Sequence, residues 1–268
     1  MIHPSRFRFV PLIILLVCFG QAATIVADQL DVRYMEGETH GFLVLRTMAG
    51  KRIADGDLKQ WVKGERVNSQ ITFQFKDGSL YQDTSVFTQH GKFQLVTDHL
   101  VQKGPSFKEA MDMFTDVPNG KVTVRTTDAH GKTKEASQQM ELPPDLANGM
   151  IFVLLKNIEP TPHPTVLSMV VGTPKPRIIK LEVTPVDEEP FFVGGSKRKA
   201  MHYDVHFKIE GIVGAAAQIA GKQPPDLHSW ILHDEAPVVV KTEGPLYQDG
   251  PVWRMELTSP TWPHDIAR

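Results

Sequence analysis

The sequence predicts a mainly β protein, a curved antiparallel sheet or half-open barrel wrapped around one buried helix. Three observations carry that expectation. Alternation of apolar and polar side chains with period two recurs along the chain far more often than helical periodicity. Turn dipeptides separate the alternating runs, among them Asp77-Gly78, Asn119-Gly120, His130-Gly131, Gly194-Gly195 and Asp249-Gly250. One stretch, residues 146–158, is apolar on nearly every side, and a helix of that kind belongs in a core.

The N-terminus sets the compartment. Arg6 and Arg8 form a basic region, an apolar stretch covers residues 10–19, and small residues follow it. This is the layout of a secretion signal, with cleavage expected after Ala27 and a mature chain starting near Asp28. An uncleaved anchoring helix over residues 10–27 is the alternative. Cys18 is the only cysteine. It lies inside the signal and follows Val17, so lipidation is not expected, and the mature chain has no thiol for disulfides, nucleophilic catalysis or metal binding. The remaining residues, 28–268, read as a single β-rich domain. At 268 residues and 41% hydrophobic, the chain is long enough to bury a large core without staples. Its net charge of -2 argues against a whole-chain basic field, so no nucleic-acid partner is expected.

In chain order, strands are expected at residues 41–47, 56–63, 80–88, 92–102, 121–126, 132–140, 165–171, 177–185, 200–210, 227–232, 238–242 and 252–257. Within residues 70–76, Ile71, Phe73 and Phe75 face one way and Gln70, Thr72, Gln74 and Lys76 the other. Asp77-Gly78 closes this run into the next as a hairpin in which both turn residues take positive φ. The strand at 92–102 carries Phe93 and Leu95 on one face and Val96 and Leu100 on the other, which implies a cover on each side. A helical turn is expected at residues 106–114, where Phe107, Ala110, Met111 and Phe114 share one helical face. Pro143-Pro144-Asp145 starts the buried helix. Three prolines in residues 159–164 make a rigid loop back into the sheet.

The closing segment Trp230-Ile231-Leu232-His233-Asp234, then Pro237-Val238-Val239-Val240 and residues 250–257, resembles the ending of a group of uncharacterised exported bacterial β-proteins. Those proteins are similar to the half-barrel of periplasmic lipoprotein carriers and outer-membrane lipoprotein receptors. The resemblance implies a curved sheet over a helix, with an apolar concave face able to hold an acyl chain or apolar peptide. The chain departs from it by extra material at residues 174–199 and 211–225. No carrier's cargo-releasing residues can be placed on it.

Among chemical motifs, His202, Asp204 and His206 project from one strand face, and two imidazoles with a carboxylate suit zinc or non-haem iron. Three ligands in a row along a flat strand rarely converge. Tyr203, Val205, Phe207 and Ile209 make the opposite face apolar while Lys208 and Glu210 continue the polar one, so a solvated face without metal is the simpler expectation. A fourth ligand would have to come from His228 or His233, which flank Trp230. His90 and His99 complete the histidines weighed, and His99 with Asp98 and Leu100 reads as strand packing. Ser196-Lys197-Arg198-Lys199 matches Ser-x-x-Lys by letter but reads as a solvated basic loop; its charges would at most touch anionic headgroups. Gly221-Lys222 lacks the first Gly of a phosphate loop, where Ala216 stands, and has Gln223 in place of the Ser or Thr, so no nucleotide is expected. The small, apolar stretch 211–220 reads as a strand, a short helix or a lip admitting a ligand.

The expected function is that of an exported periplasmic or cell-envelope protein without a cofactor, holding an apolar ligand such as a lipid or acyl chain in the concave sheet. A metal-dependent hydrolase using His202, Asp204 and His206 is one alternative. A structural or assembly partner in the envelope, with an exposed sheet edge and no internal cavity, is another.

Overall fold

A computed structural model describes residues 29–172, 175–193, 196–209, 224–234 and 236–258. Fourteen strands form one antiparallel sheet. They are β1 (Thr39–Thr47), β2 (Arg52–Lys63), β3 (Arg66–Phe75), β4 (Leu80–His90), β5 (Lys92–Lys103), β6 (Ala110–Asp116), β7 (Lys121–Thr127) and β8 (Thr133–Gln139), then β9 (Thr165–Val171), β10 (Arg177–Val193), β11 (Ser196–Lys208), β12 (Leu227–Leu232), β13 (Val238–Pro245) and β14 (Val252–Thr258). Among the described residues one helix, α1 (Ile151–Asn157), lies between β8 and β9. The order across the sheet is β8 to β1, then β14 down to β9, so every strand but the edges sits beside its sequence neighbours, and β1 pairs with β14. The sheet stays open, with β8 and β9 as its two edges.

The β3–β4 hairpin shows how the turns work. The Phe75 N–H donates to Ser79 O at 2.9 Å and the Gly78 N–H to Phe75 O at 3.1 Å, enclosing the three residues Lys76, Asp77 and Gly78. Gly78 has φ +84°, whereas Asp77 stays at negative φ, so the expected two-residue turn with two positive φ values is replaced by a type I turn followed by one left-handed glycine. That single position is where a side chain would be strained.

Two expected helical segments are corrected. The segment 106–114 enters β6 at Ala110 instead of forming a helix, because Ala110 to Asp116 pair on one side with β7 and, from Met111 on, with β5 on the other. Met113 and Thr115 point inward, and Phe114 lies outside against His99. The helix expected over 146–158 begins only at Ile151. The residues before it run along β9 as an edge cover. Ser168 exchanges backbone hydrogen bonds with Asp145 O and the Ala147 N–H, and the Asn148 side chain imitates a strand by accepting from the Val170 N–H at 2.7 Å and donating to Val170 O at 2.8 Å. Gly149, at φ +60°, then turns the chain into α1, and a right-handed helix cannot run through that conformation. The Ser196 to Lys199 segment is also corrected: it is the exposed start of β11, with Lys199 on Glu188 at 2.8 Å, and not a loop. The stretch 211–220 with Gly221-Lys222, the Gly194-Gly195 turn and the signal segment all lie outside the described residues.

The apparent two-faced strand at 92–102 has a local cause. Val86 pairs with Thr97 and Phe87 with Leu95, leaving Val96 as an extra residue, a β-bulge. Side-chain parity flips there. Phe93 and Leu95 before the bulge, and Asp98, Leu100 and Gln102 after it, therefore face the same concave side, and no second cover is needed.

The concave face closes over α1. Val153, Leu154 and Leu155 are buried in a core shared by Phe87, Phe93 and Val122 from one half of the sheet and Leu167, Leu181 and Val205 from the other. A second cluster, including Phe73, Phe75, Phe107 and Trp253, fills the region near the β1–β14 seam. Residues 29–37 strap the plug from outside. Asn157 Oδ1 accepts the N–H groups of Arg33 and Tyr34 at 2.9 and 2.8 Å, and the Lys156 ammonium pairs with the buried Glu36 at 2.6 Å.

Candidate functional site

Between the plug and the sheet lies a hollow of about 480 Å³, walled by strands of both halves and by Asn148, Gly149, Ile151 and Phe152. Its lining is mostly apolar: Leu100, Met111 and Met113 on one side, Met169, Ile179 and Phe207 on the other, with Trp253 and Met255 from the seam. Strand alternation places these side chains here, since each stands on the inward parity of its strand. Phe152 on α1 borders this hollow and also a second one beside the N-terminal strap.

One wall is acidic. Asp83 on β4 and Asp98 on β5 share the inward face, diagonal to one another across the pairs Asp83 with Leu100 and Ser85 with Asp98. Burial, followed by the neighbouring Asp83 charge, raises the Asp98 carboxyl well above the usual carboxylate range. Burial also lifts Asp83, to about 6. Each carboxyl is close enough to perturb the other, and neither can ionise without opposing its neighbour. Their Oδ1 atoms, Gln102 Oε1 and Arg177 Nε are shut off from solvent and have no hydrogen-bond partner among the described residues. Such atoms are places for ordered water or for the polar group of a ligand. Ser85 Oγ donates to Gly149 O at 3.1 Å and ties this wall to the plug.

The raised carboxyls fix the sign of a pH effect. A folded state that holds a proton the unfolded chain releases loses stability as pH rises from the unfolded carboxyl value, near 4, through the folded one. We expect resistance to urea to fall between about pH 4 and pH 7, by at most about 1.4 kcal/mol per pH unit for one proton. Asp98→Asn should flatten that slope. An unchanged slope in the variant, measured by urea unfolding at a series of pH values, would show that the dyad is not its source.

On the convex face the sequence-derived triad is rearranged. His202 on β11 is largely covered, its side chain 13% exposed, and it is not the solvated group expected from the pattern. Its ring stacks on Trp230 of β12 at 4.4 Å and 4°. Asp204 pairs in register with His228, and the carboxylate, His228 Nδ1 and His202 Nε2 meet: His202 Nε2 is 3.1 Å from His228 Nδ1 and 3.4 Å from Asp204 Oδ1. His206 does not join them; its Nδ1 is 2.7 Å from Asp226. His233 lies against the inner-face Tyr203 hydroxyl at 3.1 Å, and burial lowers its basicity. His99 pairs with Asp112 and His90 with Glu65. The sequence reading did not single out Asp83, or Asp98 as a buried acid. Their signal was available in the run Tyr81-Asp83-Ser85-Phe87, an acid on an otherwise core-facing parity.

Sheet, plug and hollow define the class: an open antiparallel β protein with an apolar recess closed by a short helix. No protein-family model matches the chain, and no curated protein matches it. Among solved structures, the crystal structure of the hypothetical lipoprotein YmcC from Escherichia coli (K12) is similar at TM-score 0.37 and 9% identity, over 87% of this chain and 93% of that one. Among the described residues, no helix is long and apolar enough to cross a membrane.

Proposed function

We propose that the chain is an exported cell-envelope protein that holds an apolar ligand, a lipid or acyl chain, in the hollow between the sheet and α1. The hollow itself carries this reading. At about 480 Å³ it falls within the roughly 300–1,000 Å³ of small-molecule sites, and its few unpartnered polar atoms stand on an otherwise apolar wall, the usual division of labour between affinity and orientation. Export rests on Arg6, Arg8 and the apolar segment after them. The edge strand β8, which an envelope-assembly role would use, is almost wholly exposed and polar, with Lys134 and Glu135 discouraging strand addition.

Mass spectrometry of the organic extract of natively purified protein should find a stoichiometric apolar species. In parallel, an environment-sensitive apolar fluorophore should bind the emptied protein, and Leu100→Trp, which fills the hollow, should cut that binding at least about tenfold, since a blocked pocket forfeits the ligand's buried contacts. Equal binding by a folded Leu100→Trp variant would place the ligand elsewhere, and an empty extract with no fluorophore binding would sink the reading.

A further inference from the structure

We propose that His202, Asp204 and His228 form a divalent-cation site of the zinc class on the convex face of the sheet, independent of the hollow. Two ligand atoms that share a tetrahedral zinc at about 2.0–2.1 Å must stand roughly 3.3 Å apart. His202 Nε2 is 3.1 Å from His228 Nδ1 and 3.4 Å from Asp204 Oδ1, and His228 Nδ1 lies against the same oxygen. Two of the three separations are therefore already those of one coordination sphere, and the third, the closer contact of His228 Nδ1 with Asp204 Oδ1, opens by a small side-chain rotation when an ion enters between them.

The surroundings favour the same chemistry. The His202 ring is held flat on Trp230, so its direction is fixed by packing. Its other nitrogen, Nδ1, lies 3.6 Å from both Asp187 and Glu189. These carboxylates favour the tautomer with the proton on Nδ1, which leaves the Nε2 lone pair facing Asp204 and His228, the arrangement in which outer carboxylates support a metal-bound imidazole. Three carboxylates, Asp187, Glu189 and Asp204, stand around the two imidazoles, an arrangement that suits a cation. The mixed nitrogen and oxygen set selects zinc or a neighbouring late divalent metal over calcium and magnesium, which take oxygen ligands. His228 and Asp204 are partly exposed, so an ion can enter from solvent and keep a water as its fourth ligand.

The register explains why this set forms where three histidine-face residues in a row do not. Asp204 and His228 are direct cross-strand partners, and His202 is one inward–outward repeat along β11, so its long ring reaches back to them. His206 is one repeat the other way and is held by Asp226.

The test is a zinc titration of the full mature chain, without an affinity tag, by calorimetry and by competition with a zinc dye. The expected result is one zinc per chain, with a melting temperature that rises with zinc and falls again with a chelator. His202→Gln and His228→Gln should each abolish the stoichiometric binding, and Asp187→Asn with Glu189→Gln should weaken it by about tenfold or more. His206→Gln should bind like the parent. An absence of stoichiometric zinc binding by the parent overturns the proposal, whatever the variants do. So does stoichiometric binding that survives in a folded His202→Gln/His228→Gln double variant.

Discussion

Leu154→Ala is expected to cost on the order of 2–5 kcal/mol in denaturant unfolding, the range for deleting a fully packed leucine. Leu154 is 3% exposed and sits in the core cluster to which both halves of the sheet contribute. Its backbone is fixed on both sides, by a bond from its own N–H to Met150 O and by another from Ile158 N–H to its carbonyl. The plug cannot slide to refill the space, because Asn157 is bound to the strap and Asn148 to the edge of β9, so most of the cavity term should be felt. The shift should fall in the midpoint and leave the denaturant slope unchanged. A loss below about 0.5 kcal/mol, the usual size of a surface substitution, would put α1 outside the core and refute the architecture.

Gly149→Ala should be about as damaging, and for two separable reasons. Gly149 has φ +60°, which costs a side chain roughly 1–2 kcal/mol. A Cβ there would also stand 2.3 Å from Asp98 Oδ1 and 2.6 Å from Ser85 Cβ, and overpacking a site of this kind costs about 1–3 kcal/mol. Together the change should amount to roughly 2–5 kcal/mol. Gly50→Ala is the control. That residue has φ +86° with open space around it, so it should show the backbone cost alone. If the two alanines destabilise equally in urea, the plug does not press on the acidic wall as the structure has it.

The strands were legible because one face of nearly every strand is buried, and alternation is the direct imprint of that on a sequence. Where alternation failed, it failed for local reasons. Val96 inserts one residue and reverses parity, so a one-sided strand looked two-sided. Phe107, before β6, and Ala110, Met111 and Phe114 within it happen to fall at helical spacing, while Met113 and Thr115 carry the inward face. The apolar run at 146–158 does mark the plug, but hydropathy alone cannot show that its first four residues serve the edge of β9 through backbone and Asn148 hydrogen bonds.

Sites were less legible, since they depend on register across strands far apart in sequence. Alternation put His202, Asp204 and His206 on one face, which the structure bears out. Only the pairing of β11 with β12 chooses His228 over His206 as the third group. The acidic wall needed the same knowledge: Asp83 and Asp98 draw no notice alone and become a pair of buried, mutually opposed acids only once β4 and β5 are aligned past the bulge.

The pairing of β1 with β14 has a consequence for how the chain assembles. Thirteen strand pairs hold the sheet, and all but this one join sequence neighbours. Arg46 and Glu256, ion-paired across the seam at 3.0 Å, are 210 residues apart. Two runs of sequence-adjacent strands, β1 to β8 and β9 to β14, can therefore form from comparatively local contacts. The seam must wait for the whole chain, and it is the sheet's one pairing of very long sequence separation. A protein that crosses a membrane unfolded and N-terminus first would present β1 long before its partner emerges, leaving the edge of the first meander unpaired until the last strand arrives.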